Sequence, residues 1–131
     1  MNAAAMNVFA VAVGGATGAV ARYWLTSALY KHFGSGFPYG TIGVNVLGSV
    51  LMGALFVFIV ERPLPEVWRL GLAVGLLGAF TTFSTFSLDT LILIEEGELM
   101  RALMNVALSV SLCVLAVFAG AAIARMTLHT V

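Results

Sequence analysis

Charge is what this chain has least of. Lysine, arginine, aspartate and glutamate together make up 9% of its 131 residues, against 61% hydrophobic side chains. So few charges cannot coat a water-soluble domain, and the chain reads as an integral membrane protein. The balance is neutral as well, six basic against six acidic residues. A neutral chain has no electrostatic hold on a phosphate backbone, which argues against nucleic acid as a partner. The single cysteine, Cys113, excludes an intrachain disulfide and a cluster of soft metal ligands. The opening "MNAAAMNVFAVAVGGATG" lacks the basic segment of a signal peptide, and its apolar run outlasts a signal core. It is expected to remain as a first helix.

What is present is long and apolar. Charge-free runs cover residues 1–21, 32–60, 70–88 and 102–124, each close to the ~20 residues an α-helix needs to cross a bilayer. Backbone polar groups in lipid must be satisfied internally, and the alternation that a β-barrel strand requires is missing, so the expected class is an all-α membrane protein. Four transmembrane helices in one domain, 1–131, are placed over residues 6–30, 40–60, 68–94 and 102–125. Glycines and Pro38 in "KHFGSGFPYG" mark the first turn, "ERPLPE" the second, and "EEGELMR" a tight polar hairpin. Trp68 stands where an interfacial anchor belongs.

Basic residues hardly choose an orientation. Arg62, Arg69 and Arg125 fall on one side, Lys31 and Arg101 on the other, and Arg22 lies deeper. Either one topology wins on a narrow bias or copies insert both ways and pair antiparallel. A chain this small encloses little alone, which favours a homo-oligomer.

Polar residues at helix depth are costly and usually face a bundle interior or a watery path. Arg22 either snorkels to the interface or attracts anions to a vestibule. Asp89 is either a solvated helix end or, with Arg22, a vestibule or relay residue. Asn45 sits near Gly48 and Gly53, which permit close helix approach. Its amide either bonds one helix to another or donates to an anion without the trapping a full charge would impose. Asn105, Ser109 and Ser111 add polarity to the fourth helix.

The densest polarity lies in "GAFTTFSTFSLD", residues 78–89. On one continuous helix it separates into stripes at three-residue spacing: Phe80, Phe83 and Phe86; Thr81, Ser84 and Ser87; Thr82, Thr85 and, one residue late, Asp89. Back-bonding to carbonyls explains one or two hydroxyls, not five in seven positions. Upstream, Gly75 and Gly78 of "GLLGAF" either allow close packing or weaken the third helix until it breaks, exposing carbonyls suited to a cation. The phenylalanines are either core or ring edges turned toward an anion, since the edge of the quadrupole is positive.

The combination of "GGATGAVARYWL", "PYGTIGVNVLGSVLMG" and "GLLGAFTTFSTFSLD" resembles the Fluc-type fluoride channels of the CrcB family. The resemblance implies four-helix subunits with a broken third helix, paired as an antiparallel dual-topology homodimer in the cell (inner) membrane. It implies passive fluoride export that relieves toxicity, through a pathway of Asn45, Phe83, Phe86, Thr82, Ser84, Thr85 and Ser109. It implies a structural sodium ion at the dimer interface on carbonyls of Gly78 and Thr81. Asp89 stands where the family commonly has glutamate, and Asn105 and Cys113 at positions that vary. A small proton-coupled multidrug antiporter has the same size and pairing, but it needs a carboxylate in its first helix, where this chain has Arg22 and no acid. An accessory packing subunit would need no polar track, and an enzyme would need a nucleophile–base pair or metal-ligand set that the spans lack.

Overall fold

A computed structural model describes residues 2–62 and 64–129. Among these residues every regular element is helical, and four helices are long and apolar enough to cross a membrane. The first two are continuous: α1 (Ala3–Phe33) and α2 (Tyr39–Glu61). The third span, Glu66–Glu95, is composite. It comprises α3 (Glu66–Arg69), a π-helical stretch (Leu70–Leu77), α4 (Gly78–Phe80) and, beyond a break at Thr81 and Thr82, α5 (Phe83–Glu95). The last helix is α6 (Leu99–His129). The α2–α3 connection lies within "ERPLPE", of which Pro63 is outside the described residues.

The first helix runs slightly past its expected span because its caps lie outside that span. The Asn2 carboxamide oxygen accepts the Ala5 N–H at 2.9 Å and opens α1. Gly34, at φ 84°, ends it by donating its N–H to the Tyr30 carbonyl at 2.8 Å. Gly97, at φ 77°, turns the chain after α5, and the Glu98 N–H closes back on the Leu93 carbonyl at 2.8 Å. Both turns use the left-handed conformation that glycine adopts without strain.

Packing rests on missing side chains. Gly14 and Gly18 of α1 lie against the backbone of Gly71 and Leu76 in the third span, and Gly75 lies against that of Val11 and Gly15. A methyl on Gly14 would meet the Gly71 carbonyl oxygen, one on Gly18 that of Leu76, and one on Gly75 that of Val11 at 2.8 Å. Gly53 of α2 and Gly120 of α6 likewise abut the backbone of Val117 and Val50. Such approach supplies the van der Waals contact that holds helices together in lipid, where the hydrophobic effect between them is absent. A small apolar cluster of Val57, Ala121 and Ala124 joins α2 to α6, while Phe9, Trp24 and Phe118 point outward. Gly75 is therefore a packing glycine. Gly78 differs: it is exposed, and an added methyl would meet only the Ala73 carbonyl at an ordinary 3.5 Å.

Candidate functional site

The break falls at the middle of the 30-residue third span, about 20 Å from either end at ~1.5 Å per residue. Thr81 (φ −86°, ψ 158°) and Thr82 (φ −152°, ψ 112°) are extended, so backbone groups there lose their helical partners at the depth where water cannot replace them. Asn45 of α2 repairs this directly. Its carboxamide oxygen accepts the Thr82 N–H at 2.7 Å, and its NH₂ donates to the Thr82 carbonyl at 3.0 Å. The amide thus binds both backbone groups of one residue, and its second N–H has no partner among the described residues. Thr82 then caps α5: its hydroxyl oxygen accepts the Thr85 N–H at 3.1 Å, and it bonds the Thr85 and Ser84 hydroxyls at 2.9 and 3.2 Å. The Thr81 hydroxyl donates to the Leu77 carbonyl at 3.0 Å.

The carbonyls of Gly78 and Thr81 are among those this arrangement leaves without a helical partner. The N–H that would close a helical turn on the Gly78 oxygen belongs to Thr82 and goes to Asn45; the one for Thr81 belongs to Thr85 and goes to the Thr82 hydroxyl. Free carbonyl oxygens beside an exposed glycine are hard ligands for a monovalent cation, and no carboxylate is needed. These residues fit a sodium ion.

A groove of about 410 Å³ opens beside the break, between α2 and α6. Asn45, Thr82, Phe83, Phe86, Ser109 and Cys113 line it; Ser84 and Thr85 join it through the Thr82 hydroxyl. The Phe83 and Phe86 rings lie 5.2 Å apart at 44°. Phe86 is buried, whereas Phe83 is 77% exposed on the isolated subunit. The stripe expected from a continuous helix is divided: Phe80 precedes the break and is buried with its ring beside Gly48 of α2, outside the Phe83–Phe86 ring contact. Extended residues at 81 and 82 reset the helical phase, which is why a three-residue spacing fails across them.

Asp89 has a specific partner. The buried Thr41 hydroxyl donates to its carboxylate at 2.6 Å, with the Tyr30 hydroxyl 3.4 Å from Thr41. Asp89, Tyr30, Glu96 and Arg101 line a second cavity of about 330 Å³ at the end of the bundle near the 34–37 turn. Arg22 lines neither cavity and pairs with no carboxylate among the described residues. Sequence reasoning missed Thr41, Tyr30 and Thr90. Thr90 bonds Asn105 at 2.9 Å, a pairing across two helices that nothing local marks.

Comparison with known proteins places these features in a group. The family described as CrcB-like protein, Camphor Resistance (CrcB), matches residues 9–121. The "Fluoride-specific ion channel FluC" of Methylococcus capsulatus is 53% identical over 121 residues, covering 92% of this chain and 53% of that protein, so the chain spans about half its length. The protein of the same description in Magnetococcus marinus is 51% identical over 122 residues, covering 92% of this chain and 99% of that one. That of Shewanella halifaxensis is 49% identical over 115 residues, 87% and 92% of the respective chains.

Proposed function

Because the chain belongs to the CrcB family, matched over residues 9–121, we propose that it is a multi-pass membrane channel subunit, not an enzyme, that lets fluoride leave the cell passively and so relieves fluoride toxicity. The observation that carries this reading is the groove beside the helix break, where Asn45, Thr82, Phe83, Phe86 and Ser109 meet at mid-membrane depth.

The chemistry of that groove suits a small, strongly hydrated anion that must enter and leave. Stripping water from fluoride is expensive, and a fixed positive charge would repay it by trapping the ion. Among the described residues no cation lines the groove. The free N–H of Asn45, the hydroxyls of Thr82, Ser84, Thr85 and Ser109, and the positive ring edges of Phe83 and Phe86 share the task weakly. The second cavity, with Asp89 and Arg101, is the vestibule at one end of the path.

The working unit in this reading is an antiparallel, dual-topology homodimer in the cell membrane. A two-fold axis lying in the membrane plane passes through the midplane, so only residues at the middle of a span meet their own copies. Thr81 holds that position in the third span, Gly78 leaves an open face beside it, and Phe83 needs a cover. The Gly78 and Thr81 carbonyls of two copies would hold one structural sodium ion on the axis, which supplies positive charge that ties the subunits together. An antiporter reading gains nothing from the geometry, since α1 carries no carboxylate. Expression in a bacterial strain made fluoride-sensitive by loss of its own exporter tests the function: growth in fluoride should be restored, and sustained sensitivity despite membrane expression would count against it.

A further inference from the structure

Asn105 is fully buried at 0% exposure and lies on α6, away from the helix break. A carboxamide buried in a membrane bundle is costly unless its groups are bonded, and its bonds here form a directional chain. The Ser109 hydroxyl donates to the Asn105 oxygen at 3.3 Å, the Asn105 NH₂ donates to the Thr90 hydroxyl at 2.9 Å, and the Thr90 hydroxyl donates to the Phe86 carbonyl at 2.8 Å. Both ends of the chain, Ser109 and Phe86, line the groove. Thr90 is therefore committed to Phe86 and can only accept from Asn105, which fixes which face of the amide turns to Ser109. The last link is the weak one, because 3.3 Å is long for a hydroxyl bond whose usual length is ~2.7–2.8 Å.

We infer that Asn105 is a positioning residue for the anion path, acting through Ser109. It parks the Ser109 proton on a weak acceptor, oriented by Thr90, from which the hydroxyl swings to an anion in the groove and returns after the ion has passed. The inference rests on the fluoride reading of that groove. A merely structural Asn105 would stabilise α5 against α6 without regard to Ser109; a positioning one loses its effect when Ser109 has no hydroxyl.

Fluoride efflux from liposomes, on matched amounts of folded protein, decides between them through a double-mutant cycle of Asn105→Leu, Ser109→Ala and the pair. Each single change should lower flux about fivefold, the weight of one net hydrogen bond of ~1 kcal/mol, and the pair should be no slower than Ser109→Ala alone. Thr90→Val, nearly isosteric, frees the amide and should show the same dependence on Ser109, which keeps the test alive if Asn105→Leu does not fold. Losses that multiply in the pair, or wild-type flux in Asn105→Leu and Thr90→Val, overturn the inference while leaving the channel function intact. Absence of fluoride flux in the unmodified protein would strike at the function itself.

Discussion

Replacing Asn45 separates its two jobs, because Leu and Asp remove different parts of the amide. Asn45→Leu strands the Thr82 N–H and carbonyl, which the amide holds at 2.7 and 3.0 Å, in a residue only 8% exposed. Each orphaned backbone group costs about 1–3 kcal/mol, so the loss is about 2–6 kcal/mol. The chain can recover part of this by returning the Thr82 N–H to the Gly78 carbonyl, which would close the break and bury the cation ligands. Thermal stability in detergent and fluoride flux should therefore fall together. Asn45→Asp keeps the acceptor for the Thr82 N–H and loses one bond, so it should fold with a modest loss. A carboxylate about 4 Å from a passing anion opposes it by ~4 kcal/mol at an effective dielectric of ~20, roughly a thousandfold in rate at ~1.4 kcal/mol per decade. Melting curves followed by size-exclusion chromatography, paired with flux from liposomes, read both effects. Wild-type melting and wild-type flux in Asn45→Leu would refute the reasoning.

Phe83→Ile and Phe86→Ile should each reduce fluoride flux at least tenfold with little loss of folded protein, since Ile keeps apolar bulk and removes the ring quadrupole. Phe80→Ile should instead cost stability, about 1 kcal/mol or more, because Phe80 is buried and is not among the residues that line the groove; equal flux defects in all three would contradict the division at the break. Gly18→Ala should weaken the packing of α1 by about 1–3 kcal/mol, since the methyl meets the Leu76 carbonyl. Gly78→Ala has room within the subunit, so cross-linking should reveal lost dimer rather than lost fold, and normal dimer would deny that this face is the interface. Ser35→Cys with Cys113→Ser should react with an impermeant thiol reagent from both sides of the membrane; labelling from one side alone would exclude dual topology.

The four spans were legible because charge-free length is a direct signature of a bilayer crossing, and the turns because Gly34 and Gly97 sit where left-handed backbone is needed. The crowd of hydroxyls after Gly78 marked the interrupted region. Its geometry was not legible. A helical wheel assumes constant phase, and two extended residues at Thr81 and Thr82 move Phe80 onto another element. The π-helical register of Leu70–Leu77 has no hydrophobic pattern of its own; Gly71 and Gly75 signal only that another backbone comes close. Partners drawn from separate helices, Thr41 with Asp89 and Thr90 with Asn105, depend on how α2, α5 and α6 are rotated against one another, which short-range spacing does not encode.

The central claim is that the groove passes fluoride without a fixed charge. The fluoride-channel reading adds the expectation that chloride is held back. Ion-selective electrodes reading fluoride and chloride efflux from liposomes that hold the purified protein test this most directly. The account expects rapid fluoride loss driven by its own gradient, with chloride retained. Chloride efflux at a comparable rate, or no fluoride efflux from liposomes shown to hold folded protein, would contradict it.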